Sequence, residues 1–234
     1  MRRLALVHTG VNALLLALGY YWLGIGESRA LTLLWSLLVA LAAVALACEQ
    51  YGAAFAYFRA PGNPWRTALR NLLPLATASL AILLVYLLLA RWAEYSPTPA
   101  TRFASYLTLT FRKPVRPSTI LRIFTTALWI VRWIVVPVLL LPMLSAIAGT
   151  GWRGFAAIGS MTRRWRYWIE APLLLLCGLW LPLKLLGWVP HLDAFGWQMI
   201  SLLLRAVIAY LLFIAAGLAL AWASAHRPVR ATSH

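Results

Sequence analysis

The sequence predicts an all-α polytopic integral membrane protein: about six transmembrane helices plus a short interfacial amphipathic helix, in a single transmembrane domain over 1–234. Three observations lead there. The chain is 63% hydrophobic and only 11% charged, far from the composition of a soluble domain. Apolar runs near the ~20 residues that a helical crossing needs recur along almost its whole length, and no stretch between them is long enough to bury its own core. Tryptophans 92, 152, 165, 168, 188 and 197 fall at the ends of those runs, where an indole keeps its ring in lipid and its N–H in water.

The first helix is placed at 4–24; "MRRLALVHTGVNALLLALG" has the charged and apolar regions of a signal peptide and reads as a retained signal anchor. The second, 30–52, carries Ala40, Ala43 and Ala47, small residues that allow close backbone approach in lipid. The third is 70–91. The segment 98–117 contains "TRFASYLTLTF", with Phe103, Tyr106, Leu107 and Phe111 at amphipathic spacing; too short and polar to cross, it is expected to lie in the interface plane. The fourth helix, 119–147, should kink at Pro137 and Pro142. The fifth, 168–187, has Pro172 near its start, where it costs little, and the sixth, 196–224, repeats the small-residue pattern at Ala215, Ala219 and Ala223.

Two stretches resemble each other: "FRAPGNPWRTALR" (58–70) and "FRKPVRPSTILR" (111–122). In each, prolines discourage helix before a crossing and a final Arg anchors the new helix to headgroups. With one crossing between them the copies should lie on opposite sides, as in an inverted repeat, although basic proline-rich loops also resemble each other by chance.

The net charge of +16 comes from 21 basic residues against five acids. Because the arginines cluster at ends of apolar runs, they point to lipid phosphates and topology rather than nucleic acid. One set of connections, with both termini, carries eleven basic residues and the opposite set seven, which places the termini in the cytoplasm, in a bacterial inner membrane. Arg59, Arg66, Arg70, Arg112, Lys113 and Arg116 are the candidate contacts to anionic lipid headgroups.

Arg132, in "LWIVRWIVV", and Arg205, in "SLLLRAVIAYLL", lie deep in predicted helices. A cation at the bilayer centre costs about 2.5–3.5 kcal/mol even on a lenient scale. No acid stands at that depth: Glu27, Glu49, Glu94, Glu170 and Asp193 all fall near helix ends. Three partners remain open: carbonyls freed at Pro137 or Pro142 with cation–π contact from Trp129 and Trp133, an anionic ligand, or a counter-charge on another chain.

His8 and His226 fall near the predicted cytoplasmic ends of the first and last helices, where two axial imidazoles could hold a haem; an interfacial His8 and a polar-tail His226 is the reading preferred, with no cofactor. Cys48 and Cys177 lack CxxC spacing, and no metal site is expected. No GxSxG, HExxH, Walker A or GxGxxG motif occurs, so no catalytic residue is assigned. The expectation is therefore a non-enzymatic membrane subunit that anchors or organises a larger complex, with other membrane subunits and anionic lipids as partners. The alternative is a small transporter or a lipid- or anion-handling permease with an arginine-lined site.

Overall fold

The computed structural model describes residues 2–26, 29–59, 62–190 and 194–225. Ten α-helices form over them: α1 (Arg2–Leu23), α2 (Ala30–Arg59), α3 (Pro64–Arg70), α4 (Leu72–Tyr95), α5 (Pro97–Phe111), α6 (Pro117–Ile130), α7 (Val136–Thr150), α8 (Tyr167–Leu175), α9 (Leu181–Gly187) and α10 (Phe195–Ala225). A widened π turn, Val131–Val135, joins α6 to α7, and a second, Leu176–Trp180, joins α8 to α9. Proline comes soon after each, Pro137 and Pro182. A π turn loosens the backbone where a proline ring would otherwise strike a carbonyl one turn back. Six helical stretches are long and apolar enough to cross a membrane: α1, α2, α4, Pro117–Ala157, Tyr167–Gly187 and α10. The protein is an all-α, multi-pass membrane protein.

The core gathers around α2 and α7. Ala54, Phe55 and Ala56 of α2 pack with Leu75 and Ala78 of α4, Met143 and Ile147 of α7, and Ala221 of α10. A second cluster joins Val138, Tyr167, Ala171 and Leu220 across α7, α8 and α10. The small-residue packing of α2 thus sits lower than the expected Ala40, Ala43 and Ala47, which are only half-buried, and runs through Ala53, Ala54 and Ala56. The buried segment lies within the last turns of α2, which extends to Arg59 where the sequence suggested an end near 52.

Helices α4–α5 and α6–α7 form one long antiparallel hairpin. The pairs Asn71–Ala148, Tyr86–Arg132 and Thr108–Val115 are all bonded across it. Helix α5 starts directly after α4, since Ser96 keeps helical dihedrals and Pro97 takes the first-turn position where its missing N–H costs nothing. Its buried face is Ala100 and Ala104 against Ile120 of α6, while Phe103, Tyr106 and Phe111 stay exposed.

The two resembling stretches share a local grammar. In both, a helix ends at Phe-Arg (Phe58-Arg59, Phe111-Arg112) and the next begins at proline (Pro64, Pro117). They differ in the helix that this proline opens. The first makes the separate short helix α3, capped by Asn63 Oδ1 accepting from Trp65 N at 3.1 Å, whereas the second runs straight into α6. Within the long hairpin they occupy opposite ends.

After α7 the chain doubles back. The 3₁₀ segment Gly151–Ala157 runs along α7, and Gly159 N bonds Leu139 O at 3.1 Å. That close return depends on Gly154, where a Cβ would stand 2.3 Å from Ile147 N.

Candidate functional site

The site the fold assembles lies between α1, α2 and α10. His8 and Asn12, one turn apart on α1, present adjacent side chains to α2. Helices α1 and α2 are antiparallel, with Trp22 Nε1 donating to Ser36 O at 3.1 Å near their connected ends, so His8 meets Gln50 near the other. Gln50 Nε2 donates to His8 O at 2.9 Å and stands 2.6 Å from His8 Nδ1. Asn12 Nδ2 also donates to His8 O, at 2.8 Å, and Tyr51 OH donates to Asn12 Oδ1 at 2.9 Å. From α10, the Tyr210 hydroxyl donates to Thr9 O. His8 and Gln50 are each only 1% exposed. The cluster is roughly 9–13 Å from the Arg2 and Arg59 ends at 1.5 Å per residue, between apolar helices, where unmatched polar groups are costly.

This geometry fixes a tautomer. His8 O can only accept, so the Gln50 atom beside it is the amide nitrogen. The same nitrogen faces His8 Nδ1, which is therefore the acceptor, and the ring proton sits on Nε2. That Nε2 is buried without a hydrogen-bond partner. It faces Gly217 of α10: a Cβ there would be 3.9 Å from Nε2 and 4.0 Å from Tyr51 Cε1.

Gly217 also lines a cavity of about 440 Å³ between α2, α7, α8 and α10, with Val44, Cys48, Tyr51, Phe55 and Leu144 among its walls. A second cavity, about 540 Å³, lies between α1, α9 and α10 and is lined by Asn12, Leu15, Pro182, Ala209 and Tyr210. The two share Gly178, Leu179 and Phe213 in their walls, at the π turn of the fifth crossing and on α10. Both volumes fall in the range of small-molecule sites, and both walls are apolar with a few convergent polar groups. No ionised side chain lines either one among the described residues.

The predicted deep arginines have separate surroundings. Arg205 is 7% exposed; its Nε donates to Ser201 O at 3.1 Å and its Nη1 lies 3.4 Å from Leu185 O. Leu185 is in the last turn of α9, whose carbonyls lack intrahelical donors, and Ser201 is one turn earlier on α10 itself, so neither carbonyl is one freed at Pro137 or Pro142. Arg132, on the π turn, is exposed on the bundle surface and lies 5.9 Å from the ring centroids of both Tyr86 and Trp133. Trp129 is exposed, and the aromatic contacts of Arg132 are Tyr86 and Trp133.

Arg66, Arg70, Arg112, Lys113 and Arg116 are exposed, and Arg59 is half-buried beside Gly149. His8 is enclosed by α2 and α10, where Gln50 and Asn12 supply its polar contacts. His226, with Glu27, His191 and Asp193, lies outside the described residues, so no haem-like pairing is placed. Cys48 and Cys177 are free and half-buried, and no cluster of three His, Cys, Asp or Glu forms among the described residues. No family model matches this chain, nor does any curated protein or solved structure.

Proposed function

We propose that the protein binds a lipid-soluble amphiphile within its helix bundle and holds or passes it along, as a lipid-handling membrane protein. The observation that carries this reading is the pair of apolar cavities that share Gly178, Leu179 and Phe213 in their walls beside a buried polar cluster. Arg205 is satisfied by carbonyls, which favours a neutral cargo over an anion drawn to a buried charge. The exposed Arg66, Arg70, Arg112, Lys113 and Arg116 fit anionic headgroups at the two bilayer surfaces, with both termini in the cytoplasm of a bacterial inner-membrane arrangement. The test is native mass spectrometry of the full chain from mild detergent. A lipid-soluble species should ride with the wild type and be lost from Leu179→Trp, which adds bulk to the wall that both cavities share; a bare protein in both cases would refute the reading.

A second reading has its own observation. Arg132 sits on an apolar surface, exposed and faced by the aromatic rings of Tyr86 and Trp133. A cation in that position suits a foreign carboxylate, which supports an anchoring subunit of a larger complex. Photocrosslinking from position 132 in membranes should then capture a distinct protein; capture of lipid alone would remove it.

A further inference from the structure

We propose that the cleft between the start of α8 and the end of α10 binds the phosphate of a membrane lipid's headgroup. The cleft shares no described lining residue with the two apolar cavities, so this site is additional to the cargo proposed above and independent of it.

The cleft has a volume of about 450 Å³, and its walls bring Arg163, Arg164 and Arg166 together with Trp165, Glu170 and Trp222. The segment that carries the arginines is braced. Thr162 N donates to Gly159 O, Arg164 N to Met161 O and Tyr167 N to Arg164 O, each at 3.0 Å. Met161 and Tyr167, on either side of the arginines, are buried in the cluster shared by α7, α8 and α10. Trp168 Nε1 ties the start of α8 back to the segment by donating to Thr162 O at 2.9 Å. Successive turns pinned at both ends thus hold three guanidinium groups over positions 163–166 at one cleft.

The donors are available. Among the described residues neither Arg163 nor Arg166 makes an ion pair or a side-chain hydrogen bond. The Arg166 guanidinium carbon stands 6.0 Å from the Trp165 ring centroid, a contact that uses the face of the group and leaves the N–H donors in its plane. Such planar forks match phosphate oxygens in pairs. Glu170 is the one carboxylate among the described lining residues, against three guanidinium groups, so the balance of the cleft favours an anion. Its position assigns that anion to a lipid. The cleft stands at the first turn of the crossing Tyr167–Gly187 and the last turn of α10. Its two indoles are exposed, Trp165 by 68% and Trp222 by 51%. Exposed tryptophan at the end of a crossing marks the headgroup level of a bilayer.

The probes are a phosphatidic acid, a diacylglycerol with the same tails and inorganic phosphate, each titrated against the purified full chain in detergent with native mass spectrometry and thermal shift as readouts. Phosphatidic acid should bind the wild type, and inorganic phosphate at the same concentration should not displace it. Arg163→Gln with Arg166→Gln, both at exposed positions, should keep the wild-type melting temperature without lipid and lose about tenfold in affinity for phosphatidic acid. Arg66→Gln with Arg70→Gln removes equal charge from exposed positions outside the cleft and should keep wild-type affinity. Diacylglycerol reports on the apolar cavities, so its binding should be the same in all three proteins. Failure of phosphatidic acid to bind the wild type, or wild-type affinity in the first double variant, would overturn the site. Equal weakening in both double variants would overturn it in favour of diffuse surface charge. Loss of diacylglycerol alongside phosphatidic acid would overturn phosphate recognition, and displacement by inorganic phosphate would overturn the lipid assignment. The cavities stand or fall on Leu179→Trp instead.

Discussion

Arg205 of α10 reaches the carbonyl of Leu185 at the end of α9, with Nη1 and oxygen 3.4 Å apart, so a membrane-embedded cation is answered by main chain and not by an acid. The contact joins the last two crossings through a group that α9 cannot satisfy itself. Replacing Arg205 by Met strands that carbonyl, a loss of about 1–3 kcal/mol. It also removes a cation whose burial costs about 2.5–3.5 kcal/mol. The two nearly cancel, so Arg205→Met should leave the melting temperature in detergent within a few degrees of wild type. A collapse of the fold would show that the guanidinium does more than meet these carbonyls.

Gly154 makes a sharper case. A methyl there would press to 2.3 Å from Ile147 N, main chain that cannot move aside, whereas at Gly149 the nearest atom is Arg59 Cδ at 3.7 Å. Gly154→Ala should therefore cost more than about 3 kcal/mol, as strongly overpacked sites do, and monodisperse yield should drop severely. Gly149→Ala, within α7, should be neutral or stabilise by up to about 1 kcal/mol. Size-exclusion profiles and melting curves of the two variants read the contrast; equal behaviour would contradict the doubling-back of 151–157.

Asn71 stands between α3 and α4, is buried, and donates from Nδ2 to Ala148 O at 3.0 Å. It ties the start of the long hairpin to the end of α7. Asn71→Ala should cost about 1–3 kcal/mol, the penalty of an unmatched buried carbonyl, and Asn71→Asp should be worse because it presents an acceptor to an acceptor. Denaturation in mixed micelles would measure both. The ordering matters more than the size, and an aspartate variant as stable as wild type would sink it.

The two Phe-Arg-Pro turns should be reachable from opposite faces of the membrane. Arg66→Cys and Lys113→Cys, in a background with Cys48 and Cys177 replaced, place single thiols on exposed positions at either end of the hairpin. A membrane-impermeant maleimide added to intact spheroplasts and to inverted vesicles should label one variant in each preparation. Labelling of both from one face would refute the antiparallel arrangement across the bilayer.

Much of this was legible from residue type and spacing alone. Leucine runs bounded by arginine, as in 72–90 between Arg70 and Arg91, mark a crossing because length and apolarity decide it. The amphipathic spacing of Phe103, Tyr106 and Phe111 likewise marks α5. Helix α3 and the return of Gly151–Ala157 were not legible, since both depend on the close approach of segments distant in sequence. The polar cluster left a trace that could have been pursued: His8 and Asn12 one turn apart, and Gln50 nine residues from the end of α2, are polar residues inside apolar runs. A linear pattern cannot supply the meeting of the two faces, because a helix periodicity gives a face but not its partner. The arginines show the same limit. Their depth could be read, yet Arg205 found carbonyls from α9 while Arg132 found the rings of Tyr86 and Trp133.

The internal pairing of the first two helices bears on the order of assembly during synthesis. Gln50 with His8, Tyr51 with Asn12, and Asn12 with the turn before it are all complete within α1 and α2. A nascent hairpin of these two can leave the insertion machinery with these contacts already made, long before α10 is translated. When α10 arrives it brings one new tie, the Tyr210 hydroxyl to Thr9 O, across 201 positions of chain. The last helix thus acts as a latch on a pre-formed pair, and the imidazole edge at Gly217 is enclosed only at that final step.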